Sequence, residues 1–187
     1  MKGLRVIGGK AKGRRLKMVP GEGTRPIGDR VKESLFNIVG PLVEGASVLD
    51  AFAGTGSVGI EALSRGAARA VFLDTSAQAV RTIRENLASL GFERGWDVLR
   101  VDAFRFLESR MAGPFDLIFI APPQYQGLWK RTLEVLDQNP GWINSDGWVV
   151  VQIDPHEFEQ IVLMHLVEFD RRRYGNTELI FYELPGE

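Results

Sequence analysis

"SVLDAFAGTGSVG", residues 47–59, places a short apolar run, an acid and a glycine-rich loop in direct succession. The apolar run is typical of a buried strand, and "SVGIEALSRG", which overlaps the loop, is typical of a helix that ends at Gly66. Gly54, Gly56 and Gly59 form a GxGxxG pattern, which permits a tight turn and a close approach of the backbone to a ligand. A turn without any ligand would use the same glycines. The stretch predicts a strand, a loop and a helix, with a candidate binding loop where the strand ends.

The same alternation of short apolar strands and helices continues along the chain. The predicted strands are "AVFLD", "WDVLRVD", "FDLIFI" and "GWVVVQID", and the predicted helices are "AQAVRTIRENLASLG", "AFRFLESRM" and "LWKRTLEVLDQ". A final pair of strands is predicted at "HLVEFDRRRYG" and "TELIFYEL". This order indicates an α/β fold with a parallel sheet covered on both faces. Such sheets bind ligands at the carboxyl ends of their strands, so the residues that end the strands are the candidate site.

The segment before the first strand has a different character. "LRVIGGKAKGRRLKMV" predicts a small hairpin, "GEGTRP" a connector, and "DRVKESLFNIV" a helix over 29–39 that Asp29 caps and Gly40–Pro41 breaks. We predict a basic extension over residues 1–28 and one further domain over 29–187, since 187 residues suit a single core.

The charge of the chain is distributed unevenly. Ten of the 23 basic residues, but only two of the 24 acidic residues, lie in residues 1–32. A basic arm on an acidic body predicts that a polyanion docks at one end of the molecule. The alternative is a solubilising charged tail, although glycine and apolar residues alternate with the charges as in a folded hairpin.

Acids follow three successive predicted strands. Asp50 would repel a pyrophosphate but attract the cationic methionine end of S-adenosyl-L-methionine (SAM). Asp74 could accept hydrogen bonds from ribose hydroxyls, and Asp102 from an adenine amino group; each alone could instead cap a helix. Together the three acids predict an adenosyl cofactor. The predicted cofactor contacts are Asp50, Phe52, Ala53, Gly54, Thr55, Gly56, Asp74, Thr75, Asp102 and Ala103.

The fourth strand is followed by "APPQY", residues 121–125. Prolines fix the backbone and have no N–H, so their carbonyls can face a substrate from a rigid loop. Tyr125 offers a flat face on which a nucleobase could stack. The prolines alone could also simply terminate the strand. The candidate catalytic residues are Ala121, Pro122, Pro123, Gln124 and Tyr125, of which Ala121 carries no functional group.

Composition excludes several other chemistries. The chain has no cysteine, which excludes disulfides, thiolate metal sites and a cysteine nucleophile and fits a reducing cytoplasm. No apolar run approaches the roughly 18 residues that span a bilayer. With only two histidines, His156 and His165, we expect neither a metal site nor a Ser–His–Asp mechanism. The predicted location is the cytoplasm, with no membrane partner.

Five motifs together resemble one known family. "RVIGGKAKGRRL", "TRPIGDRVKESLFNIV", "VLDAFAGTGSVGIEALSRGA", "DTSAQAVRTIRENL" and "FDLIFIAPPQY" are similar to those of the bacterial 16S ribosomal RNA guanine-N2 methyltransferases of the RsmD type. The likeness covers nearly the whole chain and is weaker beyond Tyr125. It implies a Rossmann-like class I methyltransferase fold, with seven strands in a mostly parallel sheet whose last strand is antiparallel.

The resemblance also implies a reaction and a partner. SAM would donate a methyl group to the exocyclic N2 amine of one guanine and leave as S-adenosyl-L-homocysteine (SAH). The partner would be 16S rRNA, either naked or within an assembling small ribosomal subunit. Separately from the resemblance, we predict a monomer. The basic extension would grip the RNA, with Arg5, Lys10, Lys12, Arg14, Arg15 and Arg25 as the candidate contacts.

Two motifs depart from the family pattern. The catalytic loop of the family is usually an acid or asparagine, two prolines and an aromatic residue; here Ala121 replaces the acid, and Tyr125 comes one residue late, after Gln124. The family's "RPT" is "RPI" here, with Ile27 in place of threonine. We expect the Gln124 amide oxygen to replace the missing acid in part. Two alternatives stay open: a methyltransferase for another amine on DNA or RNA, and a SAM-binding RNA-binding protein with weakened catalysis.

Overall fold

The computed structural model describes residues 3–21, 26–109 and 113–186. Its elements, in chain order, are α1 (Asp29–Val43), β1 (Ser47–Asp50), α2 (Ser57–Ser64), β2 (Arg69–Asp74), α3 (Ala77–Ser89), β3 (Trp96–Arg100), α4 (Ala103–Glu108), β4 (Phe115–Ile120), α5 (Leu128–Gln138), β5 (Ile143–Ile153), β6 (Val167–Tyr174) and β7 (Thr177–Glu183). The predicted alternation of strands and helices is therefore confirmed.

The strands form one sheet in the order β3-β2-β1-β4-β5-β7-β6. The strands β1 to β5 pair in parallel, whereas β7 runs antiparallel to both β5 and β6. This arrangement confirms the predicted Rossmann-like fold with an antiparallel last strand. The strand order reverses between β1 and β4, and Asp50 lies there, opposite Phe72 on β2 and Phe119 on β4. A ligand of such a sheet binds beside this switch point.

Helices cover both faces of the sheet. Side chains of β1 alternate between two clusters: Val48 packs with α1 and α2, while Leu49 packs with α4 and α5. The other helix of the first face, α3, packs on β2 through Ile83 and Leu87. Because strands with both faces buried need apolar residues at nearly every position, the short continuous apolar runs were a sound signal for this sheet.

The predicted end of α1 at Gly40–Pro41 is wrong. The helix continues through Pro41 to Val43. A proline inside a helix forfeits one backbone hydrogen bond, but its own φ is helical. The fourth turn buries Val43 against the sheet, in the same cluster as Leu35 and Val39, which offsets that loss. Asp29 is also not the cap; Gly28 is, and the Asp29 carboxylate accepts instead from Arg5 Nε at 2.8 Å.

Residues 4–16 form the predicted hairpin, with less strand pairing than a regular hairpin has. It has one antiparallel bridge, between Arg5 and Arg15. Leu4, Val6 and Leu16 are buried and belong to the same apolar cluster as side chains of α2 and α3. The basic side chains between them stay on the exposed side. The alternation of charge and apolar residues is thus the pattern of a hairpin with one packed face.

Within the described ranges, no helix is long and apolar enough to cross a membrane.

Candidate functional site

A cavity of about 360 Å³ lies at the carboxyl ends of β1 to β5, within the size range of small-molecule sites. Eight of the ten predicted cofactor contacts line it: Asp50, Phe52, Ala53, Gly54, Thr55, Asp74, Thr75 and Ala103. Four of the five candidate catalytic residues line it as well: Ala121, Pro122, Pro123 and Gln124. The glycine loop and the diproline loop therefore face one space.

The glycine loop is shaped by two requirements. Gly56 caps α2 with φ of 78°, a left-handed conformation that disfavours other residues. Gly59 lies one turn into α2, where a Cβ atom would approach the Phe72 ring to 2.3 Å. Gly59 therefore lets α2 pack closely on β2, and Gly56 lies under the loop rather than in the cavity wall.

Asp50 is a buried acid at the floor of the cavity. Its Oδ2 accepts a hydrogen bond from Gly59 N at 3.2 Å, the one bond to its carboxylate among the described residues. Burial raises the pKa of Asp50 to about 7, and the nearby Asp74 adds to the shift, while the Gly59 N–H opposes it. A carboxyl with this pKa is poised to ionise when a cation binds beside it.

Asp74 joins the first two loops of the site. Its Oδ2 accepts from Gly54 N at 2.9 Å, and its Oδ1 accepts from Ser76 N at 2.8 Å. The cap of α3 is Ser76, whose Oγ accepts from Ala79 N, so Asp74 is not the cap of that helix. The acid holds the glycine loop in place and still lines the cavity.

Asp102 caps α4, as one of its two interpretations predicted. Its Oδ1 accepts from Phe104 N at 3.0 Å and from Arg105 N at 3.2 Å. Its neighbours Val101 and Ala103 line the cavity, whereas Asp102 itself is not among the lining residues. Its bonds fix the point at which the chain turns from β3 into α4.

The loop after β4 is held from outside the cavity. Tyr125 has φ of 59°, a left-handed conformation that residues other than glycine rarely adopt. Its backbone N–H donates to Glu157 Oε2 at 2.8 Å. A hydrogen bond with Asp154 raises the pKa of the Tyr125 hydroxyl. The Tyr125 side chain is 65% exposed and does not line the cavity. The segment that follows β5 therefore sets the conformation of this loop.

Sequence reasoning missed several residues of the cavity wall. Pro26 and Ile27 reach it from the connector, and Gln152 reaches it from β5. Ser57 also lines it, and its Oγ accepts from the buried Lys32 Nζ at 3.0 Å. The signal for Gln152 was present, because it is a polar residue near the end of the apolar strand "GWVVVQID".

The predicted RNA contacts of the hairpin lie on its outer side. Arg5 pairs with Asp29, the Lys10 ammonium lies 4.4 Å from the centre of the Phe92 ring, and an Arg14 guanidinium nitrogen donates to Ser89 O. Lys12 and Arg15 are exposed as well. Arg25 lies outside the described residues.

In the parts of the chain that the structure describes, no group of three potential metal ligands comes together.

The chain matches the family model described as Conserved hypothetical protein 95 over residues 4–183. It is 39% identical to YlbH of Bacillus subtilis, named as an rRNA methyltransferase, over 98% of this chain and 100% of that protein. It is 37% identical to ribosomal RNA small subunit methyltransferase D of Escherichia coli K12, over 80% of this chain and 74% of that protein.

Solved structures share the fold. The E. coli protein yhhF, named as a methyltransferase, is 32% identical, with a TM-score of 0.84 over 97% of both chains. An RNA methyltransferase from Salinibacter ruber, solved with SAH, has a TM-score of 0.67 at 14% identity over 87% of this chain and 95% of that one. At that identity, the likeness concerns the fold alone.

Proposed function

This chain belongs to the Conserved hypothetical protein 95 family, and we propose that it methylates the exocyclic N2 amine of a guanine in 16S rRNA. The enzyme is a SAM-dependent methyltransferase. The observation that carries the proposal is one cavity that joins the glycine loop of β1 to the diproline loop of β4. The relatives that are named for ribosomal RNA support the choice of RNA.

The cavity fits SAM in size and in charge. The buried Asp50 would face the cationic methionine end, and Asp74 would accept from the ribose hydroxyls. Val101 and Ala103 would flank the adenine, with Asp102 at the turn between them. SAM supplies an electrophilic methyl group on a positively charged sulfur. The residues of the chain bind and orient the two reactants.

The target amine is a weak nucleophile because its lone pair is delocalised into the purine ring. Acceptors fixed around its N–H bonds favour a pyramidal nitrogen and stabilise the charge that develops on it. The Pro122 carbonyl is one proposed acceptor, on a loop that Glu157 holds in place. We propose that Tyr125 stacks on the base from the exposed side of the loop, where 65% of its surface is accessible.

Methyl transfer in vitro tests this function. Purified protein would be incubated with isotope-labelled SAM and either 16S rRNA or small-subunit particles from a strain that lacks this enzyme. Mass mapping of nucleosides should then find N2-methylguanosine at one position. Methylated adenine would favour the alternative amine substrate. Binding of SAM and RNA without methyl transfer would favour a binding protein. This outcome is tested because Ala121 replaces the acid or asparagine of the family's catalytic loop.

SAM affinity should depend on pH through Asp50. With a pKa of about 7 in the free protein, Asp50 is mostly protonated at pH 6 and mostly ionised at pH 8. The cationic ligand favours the ionised form, so affinity should rise about tenfold between these values, with proton release near pH 7. Calorimetry in buffers of different ionisation enthalpy measures this release.

The variant Asp50→Asn is the control, and its SAM affinity should be nearly constant with pH. The same raised pKa affects stability. Asp50 contributes fully to the free energy of unfolding when the pH is below the pKa that this carboxyl has in the unfolded chain, near 4. The contribution is lost as the pH rises through the folded-state pKa of about 7. If the SAM affinity of Asp50→Asn changes with pH as strongly as that of the native protein, Asp50 does not bind the cationic end of SAM.

The hairpin should supply RNA affinity independently of the cofactor. Lys12 and Arg15 are exposed, so reversing both charges should leave the packed face intact. Each phosphate contact contributes roughly 0.7–0.9 to the salt slope of binding. The double change Lys12→Glu with Arg15→Glu should therefore weaken RNA binding and lower that slope by about 1.5, while SAM affinity stays the same. Filter binding over a range of salt concentrations measures both quantities.

The matched control is Arg172→Glu with Arg173→Glu on β6, at the opposite edge of the sheet. This control changes the net charge equally but should keep the original salt slope. Point changes are preferable to removing the hairpin, because Leu4, Val6 and Leu16 are part of the core. If both double variants lose RNA affinity alike, the hairpin is not the docking surface.

A further inference from the structure

Gln152 carries a buried polar atom without a partner at the edge of the cavity. Its carbonyl oxygen Oε1 has no hydrogen-bond partner among the described residues, and the residue lines the cavity. A buried acceptor without a partner destabilises the folded protein, and most buried polar groups have a partner, so this atom calls for an explanation. A ligand that brings a donor into the cavity would satisfy it.

The position of Gln152 in the sheet indicates which ligand this is. Ile120 on β4 pairs with Val151 on β5, so the next residues of the two strands, Ala121 and Gln152, are neighbours. Side chains alternate along strands, and Ala121 packs in the same cluster as Val150 of β5, so Ala121 and Gln152 lie on one face of the sheet. The acids predicted to bind the cofactor lie on the other side of β4, at the ends of β1, β2 and β3.

Gln152 therefore lies on the substrate side of the reacting centre. A donor that reaches it comes from the base and not from the cofactor. It also lies beside the position where the family pattern has an acid or amide and this chain has Ala121. The terminal amide of glutamine turns easily, since its last torsion is broad. A small rotation can thus present its oxygen to the cavity.

We propose that Gln152 is the side-chain acceptor for the target amine, in place of the group that residue 121 lacks; this inference rests on the proposed function. The Gln152 Oε1 atom accepts one amine N–H and the Pro122 carbonyl accepts the other. The amine nitrogen then bonds to the methyl carbon as the carbon–sulfur bond breaks, which leaves SAH, and one amine proton passes to water. Gln124 also lines the cavity but is exposed on the loop, so its acceptor is less well fixed and less desolvated.

Gln152→Met tests the proposal, because methionine keeps the length of the side chain and removes the amide. The value of kcat on the RNA substrate should fall about 10²-fold, as for the loss of one positioned polar group, while KM for RNA changes less than about threefold. SAH affinity should not change, and the melting temperature should be equal or higher because an unsatisfied acceptor is gone. Gln126→Met is the matched control, because Gln126 is exposed on the loop after β4 and does not line the cavity. The kcat of this variant should be unchanged.

The double variant distinguishes an acceptor from a structural residue. In an Ala121→Asp background, which restores an acidic acceptor beside residue 152, Gln152→Met should lower kcat less than about threefold. A purely structural role would give the same loss in both backgrounds. A Gln152→Met protein with the kcat of the native chain would overturn the proposal while leaving the guanine methyltransferase function intact.

A binding measurement separates this inference from the proposed function. With SAH bound, the side-chain amide resonances of ¹⁵N-labelled Gln152, identified by their absence in Gln152→Met, should shift with guanosine monophosphate and much less with inosine monophosphate, which lacks the amine. A response to adenosine monophosphate alone would contradict guanine as the target but keep Gln152 as an amine acceptor. No response to any amine-bearing nucleotide, or equal responses to guanosine and inosine monophosphates, would overturn the proposal.

Discussion

Asp74→Ala is expected to lower the affinity for SAM by about 10²-fold or more. Asp74 holds Gly54 N at 2.9 Å and lines the cavity, so the change removes the proposed ribose acceptor and loosens the glycine loop together. Hydrogen bonds to charged groups contribute about 1.5–3 kcal/mol each, and 1.4 kcal/mol corresponds to a tenfold change in affinity. Calorimetric titration with SAM and with SAH measures the loss, which should be similar for both ligands because the ribose is common to them.

Asp97→Ala is the matched control. Asp97 belongs to the neighbouring strand β3, but it pairs at the surface with Arg69 at 2.8 Å and lies away from the cavity. Its removal should leave SAM affinity unchanged within about twofold, since exposed ion pairs contribute little. A similar loss in both variants would indicate general destabilisation, and an unchanged affinity in Asp74→Ala would exclude Asp74 as the ribose acceptor.

The fold could be predicted from the sequence because its strands are buried on both faces. Runs such as "AVFLD" and "FDLIFI" are apolar at almost every position, and left-handed glycines such as Gly66 and Gly91 mark the ends of α2 and α3. The residues at strand ends then predicted most of the cavity wall, since parallel strands deliver their carboxyl ends to one edge. That geometric rule needs no knowledge of side-chain contacts.

The predictions that depended on packing were less complete. The continuation of α1 past Pro41 is decided by the burial of Val43, a tertiary contact that no local pattern reveals. The conformation of Tyr125 depends on Glu157, 32 residues further along the chain. Gln152 lies one residue before the end of β5 and lines the cavity, so the rule that strand ends form the site applies to β5 as well. The local sequence thus predicts which residues lie at the carboxyl ends of the strands, whereas the tertiary contacts between the loops there are visible only in the structure.

The largest effect on folding should come from Glu61, a charged residue of α2 with no exposed side-chain surface. Its carboxylate accepts from Gly8 N at 2.7 Å and from Ile7 N at 3.0 Å, and it pairs with Lys32 Nζ at 3.2 Å. The Lys32 ammonium also donates to Arg5 O and to Ser57 Oγ. Burial lowers the pKa of Lys32, while Glu61 opposes that shift. Arg65 Nε also pairs with the Glu61 carboxylate, at 3.0 Å. Glu61 and its two cationic partners therefore join the hairpin, α1 and α2.

Glu61→Ala leaves the Lys32 charge buried without its carboxylate and two hairpin N–H groups without their acceptor. Breaking a buried pair in this way typically costs about 3–5 kcal/mol, a large part of the stability of an ordinary domain. Urea unfolding should show a corresponding decrease in the free energy of unfolding. RNA affinity should fall with it because the hairpin loses its anchor.

Glu85→Ala is the matched control for this change, because Glu85 also pairs with a lysine, Lys17, which directly follows the hairpin, but at the exposed surface. Its loss should cost at most about 1 kcal/mol. Combining Glu61→Gln with Lys32→Met removes both charges and keeps an oxygen for the two N–H groups, so it should recover part of the stability lost in Glu61→Ala. If Glu61→Ala costs no more than Glu85→Ala, the buried carboxylate is not the anchor of the hairpin, which is then held by its apolar face and by its hydrogen bonds with Ser64.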